Sequence, residues 1–143
     1  MLITPTLEKF NYPKALIKEF DHWVILLRPK QITFGSMIIA SKSDVTSFAD
    51  LTPEQMSEFP TVSHTFETYF KEKFYAQKFN YLALMMVDPN PHFHALPRYS
   101  EDIHFNDQTF TDKQFPVAPQ LSEINSCDET QIQELMTFFK ETF

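Results

Sequence analysis

The sequence predicts an α+β fold built on an antiparallel sheet of about five strands, because the predicted strands and helices are separated along the chain. Three observations support this fold class. Short runs rich in β-branched and aromatic residues stand before and after one long helical pattern. An amphipathic pattern closes the chain. With 143 residues, of which 43% are hydrophobic, the chain is long enough for one domain with a single core.

The first part of the sheet is predicted before the long helical pattern. The stretch "ALIKEFDHWVILLRPK" indicates an edge strand, a short turn near Asp21, and a strand from Trp23 to Leu27. Pro29 ends that strand, because proline has no amide hydrogen to donate to a sheet. The stretch "GSMIIASK", which opens at the only glycine, predicts a third strand.

A long helix is predicted within "DLTPEQMSEFPTVSHTFETYFKEKF". Thr52, Pro53 and Gln55 have the form of a helix start, with a hydroxyl cap, a proline at the first position and a glutamine at the third. Pro60 lies inside the pattern, so we expect the helix to kink or split near Met56. The apolar residues at helical spacing are Phe59, Val62, Phe66, Tyr69 or Phe70, and Phe74.

Two more strands and a closing helix are predicted in the rest of the chain. "FNYLALMMV" lacks polar alternation, which predicts a strand that is mostly buried on both faces. "HFHALPRY" predicts the next strand, which Pro97 should end. Residues 101–127 show no periodicity and should be irregular. "DETQIQELMTFFKETF" predicts a helix capped by Asp128, and its apolar face consists of Ile132, Leu135, Met136 and Phe139.

Composition and charge exclude several classes of function. The single glycine, Gly35, excludes a P-loop and a G-x-G-x-x-G fingerprint, each of which needs more than one glycine. The net charge of −7 is unlike that of a general nucleic-acid binder, so we expect a small-molecule or protein partner.

The sequence also carries signals about the compartment. The one cysteine, Cys127, cannot form an intramolecular disulfide, which suits a reducing environment. The N-terminus lacks the pattern of a signal peptide, and the longest apolar run, Leu82 to Val87, is far too short to span a membrane. We therefore expect a cytoplasmic protein with no membrane partner.

Two of the five histidines, His92 and His94, are separated by one residue in the last predicted strand. Alternate side chains of a strand point to the same face, so the two imidazoles should lie side by side with Cα atoms roughly 6.6 Å apart. Asn90 should share that face. The pair could be solvated polar residues, or it could be catalytic. A neutral histidine becomes a nucleophile when an acceptor fixes its tautomer and nearby donors stabilise the charge that develops on the substrate.

A metal site is a third interpretation of the pair. Two imidazoles need further ligands to hold a metal ion, and no spacing in this chain is typical of a zinc site. The candidate ligands are His104, Asp88 and Asp102.

The stretch "N-P-H-F-H-A-L-P-R", residues 90–98, resembles the active-site strand of the histidine triad (HIT) superfamily. The family pattern is His-φ-His-φ-His-φ-φ, often followed by Pro-Arg, where φ is an apolar residue. In this alignment the family's second histidine falls on His92, its third on His94, and its first on Asn90.

The resemblance extends beyond the motif. The order of strand, glycine-led strand, helix and strand is similar to that of the family over about residues 15–100, and "NYLALMMVDP" resembles a bacterial branch of it. The resemblance implies one HIT-like domain over residues 1–143, in which residues 101–143 form a C-terminal extension. It also implies a homodimer in which the sheets of two subunits join.

The resemblance implies a nucleotide hydrolase or nucleotidyl transferase. In that family the middle histidine attacks the α-phosphorus and forms a covalent nucleotidyl-histidine, so the implied nucleophile is His92. His94 would contact the phosphate oxygens. The substrate would be a nucleotide phosphoramidate, an adenylate or a dinucleoside polyphosphate, and the chemistry needs no metal or other cofactor. The alternative is a nucleotide-binding module whose chemistry is weakened or lost.

Three departures from the family pattern bear on activity. The amide of Asn90 donates and accepts hydrogen bonds, so it could replace a positional role but not an acid–base role. The loop "VDPNP" lacks the Gly, Gln or Ser that active members carry before the motif. Arg28 stands where the family often has an asparagine that meets the ribose. Its planar guanidinium could pair with a phosphate, or it could be a surface cation. Arg98 could close its strand or attract an anionic ligand.

These considerations give two sets of candidate site residues. The catalytic candidates are His92, His94 and Asn90, and the substrate-binding candidates are Arg28 and Arg98.

Overall fold

An antiparallel five-stranded sheet forms the centre of this computed structural model, which describes residues 2–143. Its strands are β1 (Leu16–Glu19), β2 (Trp23–Leu27), β3 (Met37–Ser41), β4 (Lys78–Leu82) and β5 (His92–Arg98). They are arranged in the order β1-β2-β3-β5-β4. A separate hairpin consists of β6 (Ile103–Phe105) and β7 (Gln108–Phe110).

Four α-helices accompany the sheet in the described part of the chain. They are α1 (Pro5–Lys9), α2 (Pro53–Ser57), α3 (Phe59–Phe74) and α4 (Glu129–Thr142), and a 3-10 helix spans Phe48–Asp50. This architecture confirms the predicted α+β fold with a five-stranded antiparallel sheet, a long helix and a C-terminal helix.

β2 and β3 form the buried middle of the sheet, since every residue of both strands is buried. The two strands pair along their whole length, from Trp23 opposite Ser41 to Leu27 opposite Met37. β5 pairs with β3 on one side and with β4 on the other. Because β5 has neighbours on both sides, it is a rigid support for the side chains that it carries.

Both the predicted start and the predicted interruption of the long helix are found. The Thr52 hydroxyl accepts a hydrogen bond from the Gln55 amide, and the Gln55 side chain accepts one from the Thr52 amide. Pro60 lies in the first turn of α3, and Glu58 separates α2 from α3. The pattern splits into two helices because a proline is tolerated in a first turn and not in a helix interior.

Gly35 allows α3 to approach the connection between β2 and β3. Its φ of +83° is in the left-handed region, and a Cβ at this position would overlap the ring of Phe70. The neighbouring Phe34 packs against aromatic rings of α3, the β6–β7 hairpin and α4. This one turn therefore joins the sheet to most of the elements around it.

The C-terminal helix has the predicted cap and the predicted apolar face. Asp128 accepts a hydrogen bond from the Gln131 amide, and Leu135, Met136 and Phe139 are buried. Within residues 2–143, no helix has both the length and the apolar character that crossing a membrane requires.

The prediction of a doubly buried strand at "FNYLALMMV" is wrong. β4 ends at Leu82, and the side chains of Leu84, Met86 and Val87 are exposed. β4 lies at the edge of the sheet with one neighbour, so an apolar run there is not enclosed on both faces.

Two further predictions are wrong. Pro97 lies within β5, opposite Phe79 of β4, and does not end the strand. It is tolerated because β3 pairs with β5 only as far as Ala95, so no bond to β3 needs an amide hydrogen at residue 97. Residues 101–127 contain the β6–β7 hairpin, whose strands of three residues are too short to show a period.

Candidate active site

The structure places His92 and His94 side by side on one face of β5, with ring centroids 5.4 Å apart. Phe93 lies between them in sequence, and its ring packs in the aromatic core against Trp23 and Phe59. Both imidazoles are buried, since the exposed fraction is 1% for His92 and 9% for His94. A strand anchored in the core therefore holds the pair in a fixed relative position.

The backbone of Asn90 determines which nitrogen of His92 carries the hydrogen. Nδ1 of His92 lies 2.7 Å from the Asn90 carbonyl oxygen. A carbonyl oxygen only accepts hydrogen bonds, so Nδ1 is the donor. In the neutral ring, Nε2 then keeps a free lone pair, which is the state a nucleophilic imidazole requires.

His94 has the opposite arrangement. Nε of Arg28 donates to Nδ1 of His94 at 3.4 Å, which leaves the hydrogen of the neutral ring on Nε2. Burial, with smaller contributions from the neighbouring Arg28 and His92, lowers the pKa of His94 to about 4. His94 is therefore neutral near pH 7 and presents an N–H donor.

Together the two rings offer complementary groups from one strand. The ring of His92 offers a lone pair, and the ring of His94 offers a hydrogen-bond donor. This combination suits attack on a phosphorus or carbonyl centre, because the donor can bind an oxygen on which negative charge develops.

The side chain of Asn90 holds neighbouring segments together. Its Oδ1 accepts a hydrogen bond from the Thr6 amide, and its Nδ2 donates to the carbonyl oxygens of Asp44 and Val45. The Thr6 hydroxyl in turn accepts a hydrogen bond from the backbone amide of Asn90. Asn90 is buried and directs its side-chain polar groups at backbone partners, so it reaches His92 through its carbonyl oxygen and not through its amide group.

α1 and the Phe10 that follows it were not predicted from the sequence. The ring of Phe10 lies 5.5 Å from that of His92 and 6.1 Å from that of His94, measured between centroids. It follows directly after α1, whose N-cap Thr4 precedes a proline. The pair Thr4–Pro5 repeats the helix-start signal found at Thr52, and that signal could have revealed this helix.

A cavity of about 280 Å³ opens beside His94. Its walls combine aromatic, cationic and acidic side chains from α1, from the β2–β3 connection and from the segment before β5. The residues that line it with His94 are Lys9, Phe10, Arg28, Pro29, Lys30 and Asp88. The structure thus brings Arg28 to the histidine pair.

The structure places Arg98 in a buried ion pair instead of at the histidine pair. Its Nε and Nη2 donate to the two carboxylate oxygens of Asp112, at 2.7 and 3.0 Å. The remaining partners are the Asn80 side chain and the Val117 carbonyl oxygen. These bonds occupy the guanidinium and fasten the segment around residues 112–117 to the sheet.

His104, one of the candidate further metal ligands, lies on the β6–β7 hairpin, where its Nδ1 is 3.0 Å from the Thr109 hydroxyl. Within residues 2–143, no three side chains of His, Cys, Asp or Glu are grouped closely enough to hold a metal ion.

No protein-family model and no curated protein matches this sequence. Solved structures do match the fold. A histidine triad protein from Marinobacter aquaeolei VT8 is similar over 89% of this chain and 86% of its own, with 19% identity and a TM-score of 0.67. A diadenosine triphosphate hydrolase from Plasmodium falciparum is similar over 90% of this chain and 76% of its own, with 12% identity and a TM-score of 0.64.

A longer protein is similar as well. The NitFhit protein of C. elegans matches 91% of this chain with 15% identity and a TM-score of 0.65, and this chain spans 27% of its length. The chain has the fold of the histidine triad proteins.

Proposed function

We propose that this protein is a nucleotide hydrolase or nucleotidyl transferase of the histidine triad type, in which His92 is the nucleophile. One observation carries the proposal: neighbouring imidazoles on β5 are held in complementary tautomers, one with a free Nε2 and one with an Nε2 hydrogen. The similarity in fold to a diadenosine triphosphate hydrolase supports the same class of substrate.

The proposed reaction has two steps. Nε2 of His92 attacks the α-phosphorus, a nitrogen–phosphorus bond forms, and the bond from phosphorus to the leaving group breaks with its electron pair on the leaving group. Water then attacks the phosphorus, the bond to His92 breaks, and a nucleoside monophosphate leaves. Throughout, the hydrogen on Nδ1 stays in its bond to the Asn90 carbonyl oxygen, which stabilises the positive charge on the ring.

In this reaction His94 acts on a phosphate oxygen, and Arg28 positions His94. The Nε2 hydrogen of His94 donates to an oxygen that gains charge as the phosphorus is attacked. Arg28 keeps His94 in the required tautomer through its bond to Nδ1. Burial keeps the pKa of His94 low, so its donor role does not depend on pH near neutrality.

Substrate access requires movement of Phe10. His92 is 1% exposed, and the ring of Phe10 lies next to it. A phosphorus atom can approach Nε2 only after this ring moves aside. We therefore expect the Phe10 side chain to move during each catalytic cycle.

The alternative function is a nucleotide-binding module without turnover. Two observations favour it. The side-chain amide of Asn90 makes all its hydrogen bonds to backbone partners, and the side chain of His92 is buried. Replacing Asn90 by histidine is a limited test of this alternative, because an imidazole cannot make all three bonds of the amide and would disturb α1 as well.

Initial rates of hydrolysis test the proposed function. We expect the wild-type protein to hydrolyse at least one of adenosine phosphoramidate, an acyl adenylate and a diadenosine polyphosphate. His92→Ala should lose about a thousandfold or more of that rate, as happens when a covalent nucleophile is removed. His64→Ala, at an exposed position of α3, is the matched control. Full activity in His92→Ala would exclude the assignment.

We also propose that the protein is a homodimer joined at β4. This strand is at the sheet edge, so one side of its backbone has no ladder partner in the described chain. The exposed side chains of Leu84, Met86 and Val87 follow it directly. Light scattering coupled to size exclusion should give twice the mass of 16.9 kDa, and Met86→Asp should shift the mass toward the monomer.

A further inference from the structure

We propose that the cavity beside His94 binds a second phosphate group of the substrate, distinct from the phosphate that His92 attacks. The inference rests on the proposed function and predicts that, among nucleotide ligands, those that carry at least two phosphates bind more tightly. The binding groups are the side chains of Lys9, Arg28 and Lys30, which line the cavity together.

The charge of the cavity is opposite to that of the protein. The chain has a net charge of −7 with 12 basic residues, yet three of those twelve line this one cavity. The single acidic residue on its wall is Asp88. A concentration of cations around a recess raises the local concentration of anionic ligands and favours their binding.

Arg28 lacks the carboxylate partner that a half-buried guanidinium ordinarily has. Its Nε donates to His94, and its Nη1 donates to the Lys30 carbonyl oxygen. Within residues 2–143, Nη2 makes no hydrogen bond, and no carboxylate lies within ion-pair distance. By contrast, the buried Arg98 is paired at two points with Asp112.

This contrast indicates an anionic ligand for Arg28. Removing a cation from water costs free energy unless an anion or strong acceptors replace the water. The planar guanidinium matches the oxygens of a phosphate, and Nη2 is the nitrogen left to bind one.

Size and position identify the bound group as part of a nucleotide. A volume of about 280 Å³ lies at the low end of ligand cavities, so the recess holds a fragment and not a whole dinucleotide. His94 forms part of the wall, which puts the recess next to the phosphate on which the reaction takes place. The second phosphate would be either the next one in a phosphoanhydride chain or an ester on the ribose.

Calorimetric titration at constant ionic strength tests the inference. The ligands are AMP, ADP and adenosine 3′,5′-bisphosphate. We expect at least one of the two diphosphorylated ligands to bind about tenfold more tightly than AMP, in line with one or two added bonds between charged groups. Preference for ADP identifies the phosphoanhydride, and preference for the bisphosphate identifies the ribose ester.

The double variant Lys9→Ala/Lys30→Ala should reduce this preference to about twofold or less. Lys18→Ala, which removes an exposed lysine of β1, should leave the preference intact. Equal affinity of the wild-type protein for all three ligands would overturn the inference and leave the proposed function standing. Absence of binding to any of them would overturn the proposed function itself.

Discussion

Replacing Asn90 by alanine should destabilise the protein by about 3 kcal/mol, because three side-chain hydrogen bonds of a buried amide are lost and each is worth about 1 kcal/mol. The three bonds join Asn90 to the Thr6 amide at 3.2 Å and to the carbonyl oxygens of Asp44 and Val45 at 3.1 and 3.0 Å. Asn90 is 2% exposed, so water cannot readily replace them. The hydrogen bond from the backbone amide of Asn90 to the Thr6 hydroxyl remains in the variant, because its donor is not part of the side chain.

Urea denaturation measures this loss as the difference in the free energy of unfolding. Gln77→Ala is the control, because it removes an exposed amide group and should change stability by less than about 0.5 kcal/mol. Hydrogen exchange provides a second observable. The Thr6 amide should exchange faster in Asn90→Ala than in the wild-type protein, because its acceptor is missing. A loss of stability no larger than that of the control would refute the role of Asn90 in holding α1.

Three other predictions concern His94, Arg98 and Phe10. The pKa of His94 is lowered to about 4, so between pH 6.5 and 4 the unfolded state binds a proton that the folded state does not. Lowering the pH from 7 to 4 should therefore destabilise the wild-type protein by up to about 3 kcal/mol more than His94→Asn, as measured by urea denaturation at each pH. Arg98→Lys should destabilise the protein by about 3 kcal/mol, because an ammonium cannot reproduce the planar bonds of this buried guanidinium, and thermal and urea unfolding will measure the loss. Phe10→Ala should raise the rate at which diethyl pyrocarbonate modifies His92 several-fold, with the exposed His64 as the internal standard in the same mass spectrum.

Each of these predictions has a clear contrary result. The same pH dependence in wild type and His94→Asn would show that His94 titrates normally in the folded state. A stability loss below about 1 kcal/mol in Arg98→Lys would show that the ion pair is dispensable. An unchanged rate of modification in Phe10→Ala would show that this ring does not cover His92.

The elements that sequence analysis predicted correctly are those with a local physical signal. The apolar and β-branched runs of β2 and β3 reflect complete burial. The capping residues at Thr52 and Asp128 act within four residues of themselves, and Pro60 acts on its own helix. The alternation of a strand was enough to place His92 and His94 on the same face.

The features that were missed depend on contacts between distant parts of the chain. α1 has five residues, and its Thr6 is bonded to a residue 84 positions away. Neither the cover that Phe10 forms over the histidines nor the Asp112 partner of Arg98 leaves a periodic pattern. The exposed apolar residues after Leu82 have the composition of a buried strand, and only their position beyond a sheet edge distinguishes them.

Intact-protein mass spectrometry after brief incubation with adenosine phosphoramidate, and separately with guanosine phosphoramidate, tests covalent catalysis by His92 most directly. We predict a mass gain of one nucleoside monophosphate in the wild-type protein, with digestion placing the adduct on His92, and no gain in His92→Ala. The base that gives more adduct is the preferred one. Turnover without any adduct at short reaction times, or an adduct on another residue, would contradict the nucleophilic role of His92.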